Sequence, residues 1–179
     1  MRKRMVCVSN EDLKIISSQL ERFPKNVLEV SRRCSYGFPV VVKSKPVLDG
    51  KPFPTIYWLT CPYLRYHISK LEAKGKIIEY ERLLSSSQRL FELQIKAHLR
   101  ARSEAVELVK DVEDNEWIVK RLKDGGMGGI SDFSHLKCLH LQVAYHLGGI
   151  ENPVGRLVLE EIGQLECENA WCKKYEEVI

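Results

Sequence analysis

The sequence lacks any apolar run near the roughly 20 residues that a membrane-spanning helix needs. The first residues, MRKRMVCVSNEDLK, are basic, but no apolar stretch of about 7–15 residues follows them, as a secretory signal peptide would require. From these two absences we expect a protein of the cytoplasm that makes no contact with a membrane.

The chain also lacks the common short motifs of metal and catalytic sites. It has no Cys-x-x-Cys pair, which zinc ribbons and most iron–sulfur proteins use. It has no Gly-x-Ser-x-Gly and no His-Glu-x-x-His, so the usual serine hydrolase and zinc protease signatures are missing. Any metal site must therefore be assembled from single residues that are distant in sequence.

Composition and charge are those of a folded protein with an uneven charge distribution. The 179 residues are 44% hydrophobic and 29% charged, which argues against disorder and predicts one domain over 1–179. The net charge is +4, and the residues before Pro62 hold 11 Lys and Arg against 5 Asp and Glu. Such a basic half suits phosphate or nucleic acid, or it is simply a solvated surface.

The order of elements predicts an α+β fold. A first helix, capped by Asn10, precedes strand-like runs within 26–61, which we expect to form an antiparallel sheet of about three strands with a turn at Asp49-Gly50. The remainder, 62–179, is mostly helical, and its long charged helices offer a surface for a homo-oligomer. Strands followed by many helices favour α+β over alternating βαβ units.

Cysteine is the residue type that most suggests chemistry. The chain has six, and in a reducing compartment we expect metal binding or catalysis before disulfides. The candidate metal ligands for zinc or an iron–sulfur cluster are Cys34, Cys61, Cys138 and Cys172. Cys61 precedes a helix, whose dipole favours thiolate. Inert buried thiols, behaving as small hydrophobic groups, are the competing interpretation.

Two helical predictions bear on how these residues meet. A helix over 133–147 would place Cys138 and His140 about 160° apart, so that they would not share an ion. A helix through the C-terminal segment would hold Cys167 and Cys172 about 140° apart. His140 is then either a buried histidine on an apolar stripe or a ligand, and Cys61, Cys138, His140 and Lys137 are the catalytic candidates.

A glycine-rich loop is the remaining candidate binding feature. Gly125, Gly126, Gly128 and Gly129 precede a predicted helix, so their amides are candidates for binding an anion, with Lys137 adding charge. The Gly-Lys-Ser/Thr of a phosphate loop is missing, and a tight turn or hinge is the alternative.

Four strings together resemble an uncharacterised bacterial family, domain of unknown function 501. They are Arg33-Cys34-x-x-Gly37-x-Pro39, Phe53-Pro54-Thr55-x-Tyr57-x-Leu59-Thr60-Cys61-Pro62, Lys137-Cys138-Leu139-His140 and Asn152-Pro153-x-Gly155. Members often have a second cysteine in the first string, where this chain has Tyr36. The resemblance implies no activity. We therefore carry two hypotheses, a Cys/His-lined pocket that binds a metal or uses reactive thiols, and a binding or scaffold module for nucleic acid or an acidic partner.

Overall fold

A computed structural model describes residues 8–112 and 115–176 and confirms the predicted α+β class. The α-helices in these residues are α1 (Asn10–Leu20), α2 (Pro62–Ala73), α3 (Lys76–Ser86), α4 (Gln88–Glu107), α5 (Glu116–Lys123), α6 (Leu139–Leu147) and α7 (Pro153–Ile162). The strands are β1 (Val27–Arg33), β2 (Pro39–Ser44), β3 (Val47–Leu48), β4 (Lys51–Pro52) and β5 (Tyr57–Leu59). Short 3₁₀ helices occupy Met127–Gly129 and Trp171–Tyr175. No helix in the described residues is both long and apolar enough to cross a bilayer.

The sheet is antiparallel, with strands in the order β1-β2-β5. Val30 pairs with Val42, and Val42 pairs in turn with Trp58, so β2 is the central strand. The remaining pair, β3 and β4, forms a separate hairpin. Asp49 and Gly50 form the predicted turn, with positive φ of 49° and 73°, but they join β3 to β4 and not two strands of the three-stranded sheet.

Local signals set most of the helix ends. Pro62 is the first residue of α2, where its missing N–H costs nothing, and Ser87 ends α3 and caps α4 with its side chain. Asn152 caps α7 in the same way, ahead of Pro153. The cap of α1 was predicted one residue late, since the side chain of Ser9 accepts the amide of Asp12.

Helix α6 lies at the centre of the core, packed on β5 and on α7. Tyr145 on α6 is fully buried, and its hydroxyl oxygen accepts the amide of Ile56 at 3.0 Å. Gly155 lets α7 approach α6 closely, because a Cβ there would lie 2.4 Å from the carbonyl oxygen of Gln142. The position of α6 relative to the sheet is therefore tightly determined.

A buried polar network ties α4 to α6 and α7. It consists of Gln94, His98, Gln142 and Asn152, which are all fully buried. The Oε1 atom of Gln142 accepts from Gln94 Nε2 and from Asn152 Nδ2, each at 2.8 Å. His98 extends the network to the glycine loop, since its Nδ1 accepts the amide of Met127 at 3.1 Å. Buried polar groups that bond each other in this way fix one arrangement of the helices.

We predict that acid weakens the fold through His98. Burial lowers the pKa of His98 to about 4, and the charge of Arg102 acts in the same direction. The unfolded chain, with an imidazole pKa of about 6.5, binds more protons between the two values, so the free energy of unfolding falls as the pH falls. We expect His98 to account for a loss of about 2 kcal/mol between about pH 7.5 and pH 5 in urea unfolding.

The control for this measurement is His98→Asn, in which Oδ1 takes the place of Nδ1 as acceptor for Met127. The variant leaves a cavity and is less stable at neutral pH. Its stability should fall by about 2 kcal/mol less than that of the unchanged chain over the same pH interval. Equal pH dependence in both proteins would show that His98 titrates normally in the fold.

Candidate metal centre

Two carboxylates hold the segment before α6 in a non-helical conformation. The amide of Leu136 donates to Glu81 Oε1 at 2.8 Å, and the amide of Leu139 donates to Glu72 Oε1 at 2.6 Å. In a helix the Leu139 amide would bond a carbonyl four residues earlier. The predicted helix over 133–147 was therefore wrong at its start, and α6 begins at Leu139.

Cys138 is the N-cap of α6 and lies outside the helix. Its φ and ψ, −168° and 159°, are extended, and its Sγ accepts the amide of Leu141 at 3.4 Å. The helical angle that separated Cys138 from His140 does not apply to a residue in this conformation. The prediction that the two side chains face apart was wrong for this reason.

Glu72, Cys138 and His140 converge on one point. Each offers a ligand atom, and these atoms all lie within 4.8 Å of one another. Glu72 comes from α2, and the sequence analysis did not single it out. The residues next to Glu72 in sequence do not indicate a metal site, because the residues that Glu72 contacts, Leu139 and His140, are more than 60 residues away in the chain.

The hydrogen bonds of His140 show how the ring is oriented. Its Nε2 lies 3.2 Å from the carbonyl oxygen of Arg65, and its Nδ1 lies 3.1 Å from Glu72 Oε1. A carbonyl oxygen only accepts, so we assign the hydrogen to Nε2. With the hydrogen on Nε2, the Nδ1 lone pair faces the Glu72 carboxylate, an arrangement that a metal ion between the two would stabilise.

The spacing fits a metal ion. Zinc ligands at bond lengths of about 2.0 Å in a tetrahedron lie about 3.3 Å apart, close to the observed 3.1 Å between Nδ1 and Oε1. Histidine ligands of zinc also commonly donate their other N–H to a backbone carbonyl, as His140 does to Arg65. Three protein ligands with a fourth position open is the arrangement of catalytic zinc sites.

Two of the three candidate ligands line a large cavity. Cys138 and His140 line a space of about 780 Å³ between α1, β5, α2 and α6. Three cationic side chains, those of Arg22, Arg65 and Lys137, also line it. The aromatic rings of Trp58 and Tyr66 form part of the remaining wall. The cavity therefore suits a small anionic molecule with an apolar or aromatic part.

Cys138 is not an activated thiolate in this setting. Burial raises the pKa of its thiol, and the nearby Glu72 carboxylate acts in the same direction against the lowering effect of the Leu141 amide and Lys137. A reactive cysteine needs the opposite shift. A metal ion would instead displace the thiol proton, so the surroundings favour a ligand over a nucleophile.

The other three predicted metal ligands lie elsewhere. Cys34, Cys61 and Cys172 line a second, small cavity together with Cys167, and Cys138 is not part of it. Burial raises the pKa of Cys61 to about 11, against the amides at the start of α2 that were expected to favour thiolate. The C-terminal helix that would separate Cys167 from Cys172 does not form, since only Trp171–Tyr175 is helical there, as a 3₁₀ helix.

The glycine loop uses most of its amides internally. The amide of Gly126 donates to Ile130 O at 2.7 Å, and that of Gly129 donates to Gly126 O at 3.0 Å. The Met127 amide goes to His98. Lys137 is exposed, and its Nζ donates to Gly128 O at 3.2 Å. These contacts favour the tight-turn interpretation of Gly125, Gly126, Gly128 and Gly129 over an anion site.

Part of the basic half is neutralised by ion pairs. Arg33 binds Asp12 through both terminal nitrogens at 2.7–2.8 Å, and Lys43 pairs with Glu104. These pairs leave less positive potential for nucleic acid than the charge count suggests. Arg2, Lys3, Arg4 and Cys7 lie outside the described residues.

Comparison with known proteins gives a family match. The family described as "Protein of unknown function (DUF501)" matches residues 30–160, which is well over half of the chain. The matched range contains Glu72, Cys138 and His140, and it ends before Cys167. No curated protein and no solved structure matches the chain.

We predict that Gly126→Ala destabilises the fold without affecting any binding of phosphate. A Cβ at Gly126 would lie 2.3 Å from His98 Nδ1, so His98 must move and its bond to Met127 is lost. We expect a loss of about 2–3 kcal/mol in the free energy of unfolding, measured with urea.

Gly75→Ala is the control for Gly126→Ala. Gly75 has φ of 79°, and a Cβ there meets nothing within 4 Å, so only about 1 kcal/mol of backbone strain is expected. If Gly126→Ala kept full stability and abolished phosphate binding, the loop would be an anion site after all.

Proposed function

Since the chain belongs to the DUF501 family, whose members have no established function, we propose from its own geometry that it binds a divalent metal ion at Glu72, Cys138 and His140. The observation that carries this proposal is the convergence of three ligand atoms within 4.8 Å at the wall of a cavity of about 780 Å³. Zinc is the first choice, because it accepts nitrogen, sulfur and oxygen ligands in one tetrahedral site.

The metal would serve a reaction or a binding event in the cavity. A metal with three protein ligands keeps a position for water or for a ligand oxygen, and it can lower the pKa of that water toward neutrality. Arg22, Arg65 and Lys137 would attract an anionic molecule, such as a phosphate or carboxylate compound. The reaction class that best fits is metal-assisted attack of water on a small anionic substrate.

The alternatives from the sequence receive less support. A reactive thiol at Cys138 conflicts with its raised pKa, and Cys61 lies in the other cavity. A nucleic-acid role conflicts with the ion pairs of Arg33 and Lys43. We also propose the cytoplasm as the compartment, because metal-binding cysteines need reducing conditions and the five in the described residues are free thiols.

Zinc binding to the metal-depleted protein, measured by calorimetry under reducing conditions, tests the proposal. We expect Cys138→Ser, His140→Gln and Glu72→Gln each to weaken zinc binding at this centre on the order of 100-fold or more. Mutation of residues that only hydrogen-bond to zinc ligands already lowers metal affinity about 10–100-fold. Glu72→Gln is a sharp variant, because the amide oxygen can still accept from Leu139 while the charge is lost.

Two controls separate ligand loss from general damage. His135→Gln removes a histidine that is 68% exposed and lies outside the cluster, and Glu79→Gln removes an exposed acid from the neighbouring helix α3. Both should bind zinc at this centre as the unchanged protein does. Equal binding in His140→Gln and His135→Gln would show that the His140–Glu72 contact is only an ion pair.

A further inference from the structure

Four cysteines from three parts of the chain line one small cavity. Cys34 follows β1, Cys61 joins β5 to α2, and Cys167 and Cys172 belong to the segment after α7. Cys61 and Cys172 are buried, and the other two are partly buried. Four thiols around one space is the ligand set of a structural zinc site, although no short spacing in the sequence points to it.

The size of the cavity selects the kind of group that fits. Its volume is about 20 Å³, which holds one water molecule or one ion. A cluster of four irons and four sulfides needs much more room. A single metal ion therefore fits these cysteines, and an iron–sulfur cluster does not.

The cavity wall gives the thiols little else to bind. Apart from the cysteines, the lining is mostly apolar or aromatic, including Phe38, Val40 and Leu165. No lysine, arginine or histidine is among the described residues that line it. Its one acid, Glu166, instead binds the backbone amide and hydroxyl of Ser35. Thiolates here would need a metal ion as their counter-charge.

Hydrogen-bond donors already point at the sulfur atoms. The amide of Trp171 donates to Cys167 Sγ at 3.4 Å, and Gln19 Nε2 donates to Cys172 Sγ at 3.2 Å. Donors of this kind stabilise metal-bound thiolates, whose charge they share.

The chain segments around the cavity are held together independently of any metal. Two hydrogen bonds connect the residues after Cys34 to the segment that contains Cys167. The amide of Ser35 donates to Glu166 Oε1 at 3.0 Å, and the hydroxyl of Tyr36 donates to Glu168 O at 2.8 Å. Trp171 packs edge-on against Tyr63, with ring centroids 5.3 Å apart. The segments that carry the four cysteines are therefore held beside the cavity without a metal ion.

We propose that Cys34, Cys61, Cys167 and Cys172 bind one zinc ion in a closed site that fastens the C-terminal segment to the sheet. No three of these sulfur atoms lie within 4.8 Å of one another. Side-chain rotation must bring them together, and a change of χ1 rotamer moves a cysteine sulfur by about 3 Å. Each thiol that binds gives its proton to solvent as the zinc–sulfur bond forms.

A zinc ion would supply stability where the apolar core is small. Within residues 8–112 and 115–176, the separate cluster that joins α1 to the C-terminal segment has three buried members, Ile15, Phe38 and Cys172. After α7, the described chain forms only the short 3₁₀ helix Trp171–Tyr175.

Thiol protection in the unchanged protein tests the proposal without any substitution. The metal-depleted protein is alkylated under reducing conditions with and without one added equivalent of zinc per site, and each cysteine is followed by mass spectrometry. We expect zinc to slow the alkylation of Cys34, Cys61, Cys167 and Cys172 together, at least tenfold. Alkylation of these four at rates that zinc does not change would overturn the proposal.

Replacing zinc by cobalt gives absorption bands whose intensity depends on the number of sulfur ligands. It also separates this site from the one formed by Glu72, Cys138 and His140, called here the Glu72 centre. In His140→Gln, which removes the Glu72 centre, we expect one cobalt ion with the strong sulfur-to-cobalt charge-transfer bands of four thiolates. When they are added to His140→Gln, Cys34→Ser and Cys167→Ser should lower that intensity, whereas the matched control Cys138→Ser, added to the same variant, should leave it unchanged. If the bands are lost in His140→Gln and kept in Cys34→Ser, the four-cysteine site is wrong while the Glu72 centre stands.

Discussion

The carboxylate of Glu72 is the constraint on which the candidate site depends. It reaches from α2 to the first amide of α6, at 2.6 Å, and to the imidazole of His140, at 3.1 Å. By taking the Leu139 amide it starts α6 at that residue and leaves Cys138 in an extended conformation beside it. One side chain therefore sets the helix start and also forms part of the ligand set. A charged acceptor at a helix N-terminus is favourable in its own right, because it meets the positive end of the helix dipole.

The rest of the fold places α2 and α6 so that this contact can form. Tyr145 binds α6 to Ile56, the residue before β5, and Gly155 allows α7 to pack closely against α6. The buried network around Gln142 fixes the rotation of α6, because its amide oxygen accepts two hydrogen bonds from other segments. The cavity lined by His140 lies between α1, β5, α2 and α6, and packing in the core determines the position of α6.

Signals carried by one or two neighbouring residues set much of the fold. Asp49-Gly50 forms a turn, as predicted, while Pro62 begins α2, Ser87 separates α3 from α4, and Pro153 begins α7. Each acts through local backbone geometry or capping, which depends on adjacent residues alone. The family resemblance, carried by strings of adjacent residues, was confirmed for the same reason.

The candidate site could be predicted only in part, because its geometry comes from distant contacts. Cys138 and His140 were chosen for their chemistry, but their helical separation was wrong, since Glu81 and Glu72 capture amides that helical periodicity assigns to the helix itself. Glu72 was missed because one acid on a charged helix carries no local signal. Cys167 was not among the predicted metal ligands, because a helix expected in its segment would have turned it away from Cys172. The described chain is mostly irregular there, so that separation does not apply.

Anomalous diffraction at the zinc edge, from crystals of the zinc-loaded protein, locates the bound metal directly. We expect an anomalous peak between Cys138 Sγ, His140 Nδ1 and a Glu72 carboxylate oxygen, with His140 Nε2 still bonded to the carbonyl of Arg65. Full zinc loading with no peak at this position, and with His140 Nδ1 still in direct contact with Glu72, would contradict a metal centre at these residues.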